Sequence, residues 1–152
     1  MCSPGCPRSG GLRKLLKSRR PRFSMRAEIE AWWKQAQSDL RTAEVNLKEG
    51  RYYAAVFFCQ QAVEKSLKAF VLKRKRNPQS PEMFGHSLIH LAKVCGVPEQ
   101  FHSFLRDLTA EYVNTRYPSA AEEPPEALYD ETIAARTVAS SKEVLEWIEK
   151  RL

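Results

Sequence analysis

From residue 25 onward, apolar side chains recur at steps of three and four with polar ones between them, and this spacing predicts helices throughout. Ile29, Trp33, Ala36, Leu40, Ala43 and Leu47 fall along one stripe of a first helix. Gly50 is placed to end it in a left-handed cap, with Lys48 suited to the negative end of the helix dipole. A second helix is expected over residues 51–74. Tyr52, Val56, Cys59, Val63, Leu67 and Phe70 share one face, which Tyr53, Phe57 and Val71 widen. Such breadth predicts burial on more than one side, as in a central helix or one that also meets a second subunit. Pro78 and Pro81 stop it. A short helix, SLIHLAKVC, ends at Gly96, and Pro98 opens another that runs to Tyr117 with Phe101, Leu105, Leu108 and Tyr112 inward. Pro118 breaks that helix, and SAAEEPPEALY reads as a loop. Asp130 is the expected N-cap of a last helix carrying Ile133, Thr137, Val144, Ile148 and Leu152. No alternation of period two is long enough for a strand. The fold class is therefore all-α: an antiparallel up-and-down four-helix bundle with one extra short helix.

Charge changes this picture only at one end. The chain of 152 residues has a formal net charge of +7 and is 43% hydrophobic, ordinary for one folded domain. Residues 1–24 hold seven basic residues and no acid, while the rest of the chain balances 18 basic against 18 acidic residues. The expected division is a disordered basic extension over residues 1–24 and a bundle domain over 25–152. The extension reads as an upstream addition ahead of a start at Met25; a flexible arm for anionic partners and a mitochondrial targeting segment are the alternatives. No run approaches the length of a membrane span, so a cytoplasmic protein with no membrane partner is expected.

Most standard chemistry finds no purchase. The four cysteines lack the two-residue spacing of zinc or redox motifs, and Cys59 and Cys95 sit on apolar faces as small buried hydrophobes. His86 and His90 are four apart, but a third metal ligand is missing, and His86 reads as a loop hydrogen-bonder ahead of a helix. No metal and no cofactor are expected. The glycines form no phosphate-cradling loop, and no Gly-x-Ser-x-Gly elbow is present. The run KRKR over residues 73–76 reads as helix-end charge, with phosphate binding as the minority reading.

Two constellations remain. Gln60, Glu64 and Lys68 advance by four each and make a polar ridge on an apolar helix, placed at the margin of the core where a cleft or subunit seam is expected. Taken alone, Glu64 and Lys68 are an ordinary surface pair worth about 0.3 to 0.5 kcal/mol. Tyr112 and Arg116 lie one turn apart in EYVNTRYP, where Arg116 can fork onto a phosphate or carboxylate or can lie along the helix end with Tyr112 packed beneath it.

Four segments in this order, AQSDLRTAEVNLKEG, RYYAAVFFCQQAVEKSLKAF, GHSLIHL and YVNTRYP, resemble the HEPN family over about residues 29–148. The resemblance implies an up-and-down helical bundle that usually dimerises. Many members are similar to RNase toxins, in which an Arg is followed after four to six residues by a His and the two meet at the dimer cleft. Here the Arg would be Arg116, and the expected positions of the His hold Ala121, Glu122 and Glu123. Without an imidazole beside Arg116, RNA cleavage is not expected and RNA is the less favoured partner. The GHSL and RYP segments are more similar to a nucleotide-binding or accessory branch, often paired with an MNT-type nucleotidyltransferase in a two-component, toxin–antitoxin-like system. That resemblance points to Glu64, Lys68, His86, Arg116 and Tyr117, and with Gln60 of the ridge and the Tyr112 ring, which could take a base, these are the ligand-binding candidates. The expectation is a non-catalytic homodimer that takes a nucleotide and a nucleotidyltransferase partner. The alternatives are an RNase toxin with a degenerate site and a purely structural homodimer.

Overall fold

The computed structural model describes residues 24–152 and contains five α-helices. The basic extension expected over residues 1–24 lies outside the described residues except for Ser24. The Ser24 hydroxyl accepts the Ala27 N–H at 3.2 Å and so caps α1, Met25–Lys48. Gly50, at φ +71°, turns the chain where a side chain would be strained, and α2, Tyr52–Lys75, runs back along α1. Alanines keep the packing close: Ala36 and Ala43 of α1 and Ala62 of α2 are fully buried in the main core, and Ala55 of α2 packs with Ala134.

The breadth of the apolar face of α2 has the expected consequence. Fourteen of its 24 residues are buried, against three of the 24 in α1, because α2 packs on α1, α3, α4 and α5 alike. Its end is abrupt: Arg76 takes a left-handed conformation at φ 52° before Asn77 and Pro78. A short 3-10 turn, Pro81–Met83, then leads to α3, Leu88–Cys95, where Ser87 accepts the His90 N–H and Gly96 closes the C-terminus. The helix expected from Pro98 to Tyr117 is shorter than its apolar spacing suggested. Glu99–Phe101 is a 3-10 turn, and α4 covers His102–Asn114. At the far end the last turn tightens, with the Arg116 N–H donating to the Val113 carbonyl, and the helix stops because Tyr117, the residue before Pro118, is extended. Asp130 caps α5, Glu131–Glu149, by accepting the Ile133 N–H at 2.8 Å.

The main core is aliphatic, with Val63, Leu67 and Leu72 of α2 against Leu88 and Leu91 of α3, Leu105 and Leu108 of α4, and Val144 and Ile148 of α5. Cys59 and Cys95 are buried free thiols, and burial pushes the pKa of each up to about 12, so neither is a ready nucleophile. No helix among the described residues is long and apolar enough to cross a membrane.

Candidate functional site

The polar ridge of α2 lies deeper than the margin its helical position implied. Gln60, Glu64 and Lys68 are 0%, 6% and 3% exposed. The reason is tertiary. Trp32 of α1 brings its ring to 5.7 Å from the Lys68 ammonium on one side, and the loop carrying His86 covers the carboxylate on the other. Glu64 is the hub. Lys68 Nζ donates to its Oε1 at 2.8 Å, Gln60 Nε2 donates to its Oε2 at 2.9 Å, and His86 Nδ1 stands 3.2 Å from both oxygens. Burial by itself would raise the pKa of this carboxyl, but the bonds from Lys68, Gln60 and His86, with the charge of Lys68, outweigh it and hold Glu64 below its usual range. The reading of Glu64 and Lys68 as a surface pair is thereby corrected: this is a buried ion pair whose parts depend on each other.

From the hub the network extends two ways. Toward α1, Gln61 donates to Gln60, Lys65 donates to Gln61 at 3.1 Å and to Asp39 of α1 at 2.5 Å, and Gln35 donates to the other Asp39 oxygen. Outward, the His86 ring stacks on Tyr112 of α4, with centroids 4.0 Å apart and planes 21° from parallel. The Arg116 guanidinium lies 3.9 Å from the centre of that same Tyr112 ring and 4.6 Å from the Phe57 ring of α2. Its Nη1 also donates to the Tyr112 carbonyl at 2.6 Å, one of the free carbonyls at the end of α4.

Six of the seven residues singled out in the sequence therefore form one continuous assembly: Gln60, Glu64, Lys68, His86, Tyr112 and Arg116. Tyr117 lies apart, 52% exposed at the start of the turn that follows α4. Asp39, Trp32, Phe57 and Lys65 belong to the network and were missed. A signal for two of them was present, since Trp32, Ala36, Asp39 and Ala43 form a second stripe of α1, and an acid in such a stripe asks for a buried partner. His86 precedes α3, so it does not share a helical turn with His90, and the described residues contain no group of three or more His, Cys, Asp or Glu able to hold a metal. Ala121, Glu122 and Glu123 are exposed in the loop after α4. Beside the assembly, Glu111 accepts a short hydrogen bond from the Tyr129 hydroxyl. Burial raises the pKa of both groups, and the contact ties the segment before α5 to α4.

The arrangement divides by access. Lys68 and Glu64 are enclosed and satisfy each other, while the His86 side chain is 46% exposed, Arg116 is half-buried and Tyr117 is exposed. The HEPN domain model matches residues 29–151. The chain belongs to the HEPN family. Among solved structures, this HEPN domain is similar to TT1696 from Thermus thermophilus, with 31% identity and a TM-score of 0.73 over 82% of this chain and 98% of that one. It is also similar to ST0689, an archaeal HEPN homologue, with 28% identity and a TM-score of 0.69 over 82% and 97% of the two chains. A comparison with curated proteins finds no match.

Proposed function

We propose that this HEPN protein is a non-catalytic cytoplasmic homodimer that binds a nucleotide through its phosphate at the Arg116 face and serves as the accessory partner of an MNT-type nucleotidyltransferase in a toxin–antitoxin-like pair. The observation that carries the reading is the setting of Arg116. Two aromatic rings and one carbonyl hold its guanidinium at a helix end, so it is oriented before a ligand arrives and keeps further N–H groups for an anion. Tyr117 offers an exposed ring for a base. Exposed Phe84, Val113 and Tyr117 lie close in sequence to His86 and Arg116, and a second copy would cover such surface. The absence of an imidazole at positions 121–123 supports a non-catalytic role.

Calorimetry on the full chain with ATP, GTP and nucleoside monophosphates tests the reading: heat and thermal stabilisation are expected, and Arg116→Ala removes both. No heat with any of them would leave a structural homodimer. One observation favours the RNase reading, because the His86 imidazole rests on the ring that also carries Arg116. Intact RNA after incubation with the pure protein is expected; cleavage that Arg116→Ala abolishes would reverse the choice.

A further inference from the structure

Helices α4 and α5 both pack on α2 and scarcely touch each other, so a cleft lies between them. Its floor is apolar: Val56 of α2, Leu108 of α4 and Ile133 of α5. At about 420 Å³ it has the size of a small-ligand site. In a bundle such a seam is ordinarily closed by apolar side chains. Here its walls are charged, with Asp107 and Glu111 one turn apart on α4 and Arg136 next to the buried Thr137 on α5.

The charges are opposite and yet unpaired. Among the described residues no ion pair joins Arg136 to either acid, and none engages the three elsewhere. The Tyr129 hydroxyl donates to one oxygen of Glu111 and fixes that carboxylate. Burial raises the Glu111 pKa, and the Asp107 charge raises it further, against the bonds from Tyr129 and Asn114. A cation between the two acids would relieve that repulsion. Thr137 commits its hydroxyl hydrogen to the Ile133 carbonyl at 2.8 Å, so its oxygen can only accept from a ligand. The two acids and Thr137 therefore call for donors, and an ammonium supplies three. The Arg136 guanidinium calls for an acceptor, and its fork suits a carboxylate. The floor calls for hydrocarbon. An α-amino acid with an apolar side chain carries all three groups in one small molecule.

We propose that the cleft between α4 and α5 binds a free apolar α-amino acid, with its ammonium at Asp107, Glu111 and Thr137, its carboxylate on Arg136 and its side chain on the apolar floor. None of the residues assembled around Glu64 and Arg116 lines this cleft, so the site is separate from the proposed nucleotide site and does not depend on it.

Calorimetry on the full chain tests this with three probes of one shape: L-leucine, isopentylamine, which lacks the carboxylate, and 4-methylpentanoate, which lacks the ammonium. Leucine is expected to bind roughly tenfold or more tightly than either analogue, because each analogue forfeits a charge-assisted contact. Arg136→Gln and Asp107→Asn, both at exposed positions that tolerate the change, should each weaken leucine binding roughly tenfold. Thermal unfolding of each variant checks that it is folded. Equal affinity for leucine and isopentylamine, or leucine binding untouched in both variants, would overturn the proposal. No heat with either L-leucine or L-phenylalanine would also overturn it. In that event, coupled losses of stability in Asp107→Asn and Arg136→Gln would show that the two side chains close on each other instead.

Discussion

The two halves of the network hold the same kinds of residue and put them to opposite uses. On α2, the cation Lys68 is buried beside Glu64 and Trp32. At the end of α4, the cation Arg116 rests on aromatic faces and is only half-buried. Access is the whole difference. A buried charge without its partner costs far more than it gains, so the inner half is a matter of stability. A partly exposed charge costs less to leave without a counter-charge, which suits the outer half to the binding role proposed for it.

The largest expected effect lies inside. Lys68→Ala leaves Glu64 ionised and enclosed without its counter-charge, and a loss of about 3–5 kcal/mol in urea unfolding is expected. Lys68→Met combined with Glu64→Gln removes both charges, keeps Gln60 a partner, and should recover much of that loss. If the single and double variants lose the same amount, the two residues are not acting as a pair.

An effect next in size comes from pH. The folded-state pKa of Glu64 is depressed, so its contribution to stability is present above the unfolded value of about 4.3 and is lost as pH falls through the folded value. Urea midpoints measured downward from about pH 6 should therefore fall more steeply for the wild type than for Glu64→Gln. Equal slopes would mean that the bonds to Lys68, Gln60 and His86 do not hold in solution.

The smallest effects on stability are expected outside, where the proposed function places the largest effects on binding. Arg116→Ala removes two cation–π contacts and one bond to a helix-end carbonyl, worth about 1–2 kcal/mol together. Tyr117→Ala, at an exposed position, should change stability by no more than about 0.5 kcal/mol. Thermal unfolding with and without nucleotide separates the two quantities, and a large loss in Tyr117→Ala without ligand would show that this ring is packed.

Helices, caps and partners were unequally legible. Asp130 could be named as a cap because capping is a contact between near neighbours, and its bond to Ile133 is present. Gly50 and Gly96 could be named because a left-handed turn needs little beyond the local chain. The shortening of the helix between Pro98 and Pro118 was harder, since the 3-10 turn at Glu99–Phe101 and the extended Tyr117 before Pro118 trim it at both ends while the apolar spacing runs on. The ridge of Gln60, Glu64 and Lys68 was visible as a pattern, but its depth was not, because that depends on Trp32 and the His86 loop closing over it. Phe57 and Arg116 are far apart in the chain, and nothing in the spacing of either announces their contact.

The amino-acid sequence by itself determined the helical periods, the stops at glycine and proline, and the residues that carry the family resemblance, since each depends on side chains within a turn or two of one another. The tertiary structure alone decided which of those polar residues are enclosed and which face water. Enclosure is set by groups from other helices, and it is enclosure that makes Glu64 and Lys68 a buried pair while His86 and Arg116 stay partly exposed.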